Sequence, residues 1–161
     1  MIDLVGLKIV IVGVGACAVF DVWQRIFQWL TGTPPSNWAL VGRWAIGLLT
    51  QGRLMVRDFE VQPDRGNELG VGWLVHYGIA ISYAAIFMLL MKANILAADF
   101  ADGVLFGVVS VVVPWLFFFP CLGKGMMGRL TPNPLLVCTL ALMMHSIFGA
   151  AIGLGFSILT P

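Results

Sequence analysis

The sequence predicts an all-α integral membrane protein: a four-helix bundle with an amphipathic interfacial helix in its first long loop, forming a single transmembrane domain over residues 1–161. Three observations predict it. The chain is 60% hydrophobic and only 11% charged, whereas a soluble domain is about half apolar and about a quarter charged. Four apolar segments, about 4–30, 69–91, 103–122 and 135–159, reach the roughly 20 residues needed to cross hydrocarbon. Two of the three connections, 92–102 and 123–134, are short, which favours antiparallel neighbours.

The first segment contains "KIVIVGVGACAVFD", residues 8–21, which imitates two other signals. Gly13-x-Gly15-x-x-Ala18 after an apolar run resembles a dinucleotide-binding turn. That fold needs a further strand and an acid about 20 residues on. The corresponding region reads "TGTPPSN", a turn with no strand alternation after it. Lys8, the apolar stretch and Ala16-x-Ala18 resemble a secretory signal, but apolar and aromatic residues continue to Leu30. A spanning helix with Asp21 inside it fits best. Net charge of +1 with no dense basic patch predicts no nucleic-acid partner. Cys17, Cys121 and Cys138 form no C-x-x-C and read as small apolar fillers.

The connection 31–68 is polar and has structure of its own. In "SNWALVGRWAIGLLT", Ser36 is the expected cap after Pro34 and Pro35. Trp38, Val41, Trp44, Ala45 and Leu48 share a helical face from which Arg43 points away. This predicts a helix in the headgroup layer with tryptophan anchors, or else a short lid over the mouth of the bundle. The 31–68 and 123–134 connections carry Arg43, Arg53, Arg57, Arg65, Lys124 and Arg129, with Arg25 just before. By the positive-inside rule they face the cytoplasm. In a bacterial inner membrane, both termini then face the periplasm.

Few titratable groups fall inside the spans. An aspartate at a helix centre costs about 2.5–3.5 kcal/mol on insertion scales, so Asp21 needs a partner, a neutral form or water. On the first helix, Gly13, Cys17, Ala18, Asp21, Gln24, Arg25 and Gln28 form the expected inner stripe; Val19, Phe20, Trp23, Ile26, Phe27 and Leu30 form the lipid face. His76 shares a stripe with Gly72, Ala80, Tyr83 and Ala84, and His145 with Ala141, Gly149 and Gly153. Small residues mark close helix contact. Asp21, His76 and His145 lie roughly 14, 10 and 15 Å from the cytoplasmic helix ends at about 1.5 Å per residue. Pro114 removes a bond to the Ser110 carbonyl at a similar height. The expected proton or ligand site is therefore Asp21, His76, His145, Ser110 and Tyr83, with Arg43, Trp44 and Asn133 at the loop and mouth. The competing reading is static polar glue, with Asp21 paired to Arg25 four residues on and each histidine donating one bond.

"SNWALVGRW", "LGVGWLVHYG", "PWLFFFPCLGKGMMGRLTPNP" and "HSIFGAAIGLG" together resemble the domain-of-unknown-function family 2938, small bacterial integral membrane proteins. Asp21 in "GACAVFD" resembles its first-helix pattern. The resemblance covers nearly the whole chain and touches Gly42, Arg43 and Trp44, then Gly72, Trp73, His76 and Tyr77, then Thr131, Pro132, Asn133 and Pro134, and His145. It implies a fold and no activity.

Function is read from the polar layer. The first expectation is binding or transport of a small solute or proton, with the bilayer as partner and a homo-oligomer expected, since four helices are few for a transporter. An accessory envelope protein without substrate is the second. A haem or metal site on His76 and His145, with Asp21 as a further metal ligand, is the third, although no H-x-x-E-H or C-x-x-C-H accompanies them. No cofactor is specified. No enzyme is expected, because no serine or cysteine has a base at a known spacing. "RLTPNP" reads as a turn restarting the fourth helix, with Asn133 as its cap.

Overall fold

In a computed structural model, residues 4–55 and 66–159 are described. Arg57 and Arg65, part of the loop charge count, lie outside the described residues. The described residues form helices joined by turns and loops, without strands: α1 Leu4–Thr31, α2 Trp38–Gln51, α3 Glu68–Lys92, α4 Phe100–Ser110, the short α5 Phe119–Cys121 and α6 Pro134–Leu159. Four helices, Leu4–Thr31, Glu68–Lys92, Phe100–Cys121 and Pro134–Leu159, are long and apolar enough to cross a membrane.

Local chemistry sets the helix ends. α2 is capped by Asn37, whose side chain accepts from the Ala39 amide at 3.1 Å. The expected cap, Ser36, lies one residue too early. The Asn37 side chain takes the part because its amide oxygen reaches the second helical residue. Gly52 closes α2 in the left-handed region at φ 64° and returns its N–H to Leu48. α3 opens on Glu68, an acid favoured by the exposed N–H groups of a first turn. It ends over Asn94, at φ 56°. Asp99 accepts from the Asp102 amide before α4, and the Asp102 carboxylate accepts from the Ala97 amide. α4 stops at Ser110, four residues before Pro114, which has no N–H to give that carbonyl. The helix resumes as a π turn over Pro114–Phe118, where the Phe119 amide reaches the Pro114 carbonyl. Asn133 caps α6 through the Leu136 amide at 3.1 Å, with Pro134 as first helical residue, as the sequence indicates.

The chain divides into two compact units. The first comprises residues 1–35, 77–110 and 142–161. Segments of four helices share its core: Val12, Ala16 and Cys17 of α1, Ala80, Ala84 and Phe87 of α3, Phe106 of α4, and Phe148, Ile152 and Phe156 of α6. Phe87 and Phe156 stack with ring centres 5.8 Å apart. α4 and α6 meet along glycines. A Cβ on Gly103 would stand 2.5 Å from the Gly149 carbonyl oxygen, and one on Gly153 2.1 Å from that of Asp99. Two Gly-x-x-x-Gly faces, Gly103/Gly107 and Gly149/Gly153, therefore oppose one another, which brings the backbones into van der Waals contact.

The second unit comprises residues 36–76 and 111–141. Trp44, Ala45 and Cys121 are its buried core, packed by Leu40, Leu48, Val71, Val75, Phe118 and Leu122. α2 crosses the start of α3 through Gly42 and Gly72. A Cβ on Gly42 would lie 1.8 Å from the Glu68 carbonyl oxygen, and one on Gly72 1.8 Å from that of Trp38. Val41, Trp44 and Ala45 of the expected stripe are buried, together with Gly42 and Gly47, and Leu48 packs against the same core.

The inner face of α1 also differs in part from expectation. Cys17, Gly13 and Gln24 are buried as expected, but Ala18, Arg25 and Gln28 are exposed. Phe20, expected to face lipid, packs edge-on against Phe148 at 6.3 Å. The buried positions 13, 17 and 24, with the half-buried 20, keep to the helical period, and Ala18 lies about 100° from Cys17.

Candidate functional site

The first unit places two polar pairs in an otherwise apolar core. In the first pair, the Tyr77 hydroxyl of α3 donates to the Asp21 carboxylate of α1 at 3.1 Å. Asp21 is half-buried, one turn beyond the fully buried Cys17. A phenol carries a polar tip on an apolar body, so it can reach a carboxylate from within a spanning helix without a second charge.

His145 of α6 and Ser110 of α4 form the second pair, with Nδ1 and Oγ 2.8 Å apart. Ser110 is buried and donates its single hydroxyl proton to the Gly107 carbonyl at 2.8 Å. With that proton directed at the carbonyl, the oxygen accepts from Nδ1–H and Nε2 carries the lone pair; in the other tautomer Nδ1 accepts from the serine and Nε2 carries the proton. The glycine seam explains why this histidine is here. A Cβ on Gly107 would lie 2.1 Å from the His145 carbonyl oxygen. Only glycine lets α4 approach closely enough for a side chain as short as serine to reach the imidazole. Tyr83 packs edge-on against His145 at 6.1 Å, and against Phe106 and Phe148 at 5.9 Å each. Of the expected site, the structure thus joins Ser110, His145 and Tyr83, and gives Asp21 a partner in Tyr77.

His76 belongs to the second unit. Its ring stacks on Trp38 of α2 at 3.7 Å and 19°, with Trp73 tilted beside it at 5.7 Å. Trp38 and Trp73 are themselves 6.1 Å apart. Such stacking fixes the ring plane.

The three residues expected at a mouth are each engaged in the second unit. Arg43 grips Glu68 with both arms, Nε to Oε1 at 2.7 Å and Nη2 to Oε2 at 2.8 Å. Arg43 is 13% exposed and Glu68 4%. A fork-on-fork pair this dry is a strong charge-assisted contact. Trp44 is buried, donates its indole N–H to the Leu54 carbonyl at 3.0 Å, and meets Phe118 edge-on at 5.5 Å. Asn133 is the α6 cap described above.

The sequence reading missed Glu68, Gly103 and Gly107, and reached Tyr77 only through the family resemblance. Glu68 sits at the end of a polar stretch, where an acid draws no attention. Its signal is a cap-proximal acid at the start of a span. The Gly103/Gly107 spacing is legible as the counterpart of Gly149/Gly153.

Segments of four apolar helices around hydrogen-bonded polar pairs define a class: an all-helical protein whose long helices can span a membrane, with titratable groups held between them. More particularly, the chain belongs to the family described as Protein of unknown function (DUF2938), whose profile matches residues 10–158. No curated protein and no solved structure matches the chain.

Proposed function

We propose that the protein is a four-span integral protein of a bacterial inner membrane, with both termini periplasmic, that binds or moves a proton or small solute through its intramembrane Asp/His groups. It acts as a binding or transport protein rather than an enzyme, as a homo-oligomer in the bilayer. α2 then lies along the cytoplasmic headgroup layer. The observation that carries this reading is the first unit's core. Two titratable groups, Asp21 and His145, sit there on different helices, each held by one neutral hydroxyl. Intramembrane titratable groups are costly and are kept mostly where they handle ions or protons. A neutral imidazole in either tautomer offers one N–H and one free ring nitrogen, the pair of groups a relay requires.

The accessory, substrate-free reading draws on the same pairs as satisfied polar contacts that hold helices together, with the glycine seam. Proton uptake into proteoliposomes separates the two readings. Asp21→Asn keeps an acceptor for the Tyr77 hydroxyl and cannot ionise, so uptake should fall to the protein-free rate while the melting temperature stays unchanged. Uptake equal to that of the unsubstituted protein rejects the relay and leaves the scaffold.

A further inference from the structure

The loop between α5 and α6 carries a charge that no acid among the described residues answers. From residue 103 to the end of the chain there is no acidic residue, and the cations there are Lys124 and Arg129, both in this loop. In the second unit, the acid among the described residues is Glu68, which Arg43 already holds bidentate. Among the described residues, therefore, neither Lys124 nor Arg129 has an acidic partner.

The loop is built rather than loose. Gly123, Gly125 and Gly128 take left-handed conformations at φ 75°, 71° and 68°, and Met127 joins them at φ 50°. The Lys124 amide donates to the Phe119 carbonyl at 2.8 Å, and the Leu130 amide closes the loop onto the Lys124 carbonyl at 2.9 Å. That closure brings the two cations to the same end of the loop. Lys124 holds its ammonium over the Phe119 ring at 5.8 Å. A Cβ on Gly125 would stand 2.9 Å from the Arg129 stem, so the glycine makes room for that stem to fold across the loop. Met126, Met127 and Leu130 lie 51%, 49% and 70% exposed in the same segment. Two cations with three exposed apolar side chains match a surface that is anionic above and oily below.

We propose that residues 123–130 form a clasp for an anionic phospholipid. Lys124 and Arg129 take the headgroup phosphate, and Met126, Met127 and Leu130 enter the acyl boundary beneath it. The proposal rests on the membrane reading above. Arg129 supplies planar paired donors and Lys124 a compact point charge, two complementary ways of meeting a phosphodiester.

The test uses the full chain in nanodiscs of phosphatidylglycerol and phosphatidylcholine in equal amounts, with retained lipid measured by native mass spectrometry. Unsubstituted protein should retain phosphatidylglycerol preferentially. Lys124→Gln with Arg129→Gln should cut that preference about tenfold, while Lys124→Arg with Arg129→Lys preserves it and shows that the loop folds. Arg53→Gln is the control for general charge and should leave it intact. An unchanged preference in the double glutamine variant, or an equal loss in Arg53→Gln, overturns the clasp. So does inorganic phosphate that binds the loop while phosphatidylglycerol shows no advantage over phosphatidylcholine. A chain extracted from membranes by alkaline carbonate would instead overturn the membrane reading itself. A chain that resists extraction but shows no lipid preference overturns the clasp alone.

Discussion

The two histidines are held by different means. His145 sits where glycine lets two helix backbones touch, hydrogen-bonded to a serine and bordered by aromatic rings. His76 lies flat on a tryptophan, on a helix whose first turn is fastened by an arginine–glutamate fork. Both units use glycine to bring backbones together. They differ in where charge is allowed. In the first, a phenol hydroxyl meets a carboxylate and a serine hydroxyl meets an imidazole. The second places a full ion pair at the start of α3, where the acid also meets unsatisfied N–H groups. For helices placed in a bilayer, the cost of charge in hydrocarbon favours a full ion pair at a helix end over one at its middle.

This contrast can be broken experimentally, and the largest effect should come from the ion pair. Arg43→Ala leaves Glu68 buried without its partner and should cost about 3–5 kcal/mol, read as a lower thermal midpoint in detergent. Arg43→Met with Glu68→Leu should recover most of it. No recovery would mean that the fork is not the main fastening of α2 to α3. Next come the glycines: Gly42→Ala and Gly107→Ala each push a methyl into a backbone carbonyl and should cost about 2–3 kcal/mol. Gly107→Ala should in addition separate Ser110 from His145, visible as a changed imidazole nitrogen resonance, whereas Gly42→Ala should leave that resonance in place. Ser110→Ala removes an acceptor from a half-buried ring and should cost about 1–2 kcal/mol. Trp38→Leu should cost about 0.5–1.5 kcal/mol through the lost stack on His76. The smallest effect should be Gly78→Ala, where nothing lies within 4 Å. Helix propensity alone predicts a gain of up to about 1 kcal/mol there.

The sequence revealed the spans because hydropathy needs only composition over a window. The expected 4–30 and 135–159 became Leu4–Thr31 and Pro134–Leu159. Asn133 was legible as a cap because capping is local, and His145 was legible with Gly149 and Gly153 because a helix face repeats at 3.6 residues. What stayed hidden depends on pairs from distant segments. The Arg43–Glu68 fork joins residues 25 apart and Tyr77–Asp21 residues 56 apart, and no periodicity links them. Phe20 was misplaced for a related reason. An aromatic ring suits lipid and core equally well, and only the position of Phe148 decides between them.

The most direct test of the central claim, that the half-buried imidazole moves protons rather than merely bonding helices, is proton uptake by proteoliposomes carrying His145→Asn. The asparagine amide can stand where Nδ1 stood and still donate to Ser110, but it offers no nitrogen that takes a proton near neutral pH. The account predicts a folded protein whose uptake falls to the protein-free rate. A folded variant that takes up protons as fast as the original would contradict it.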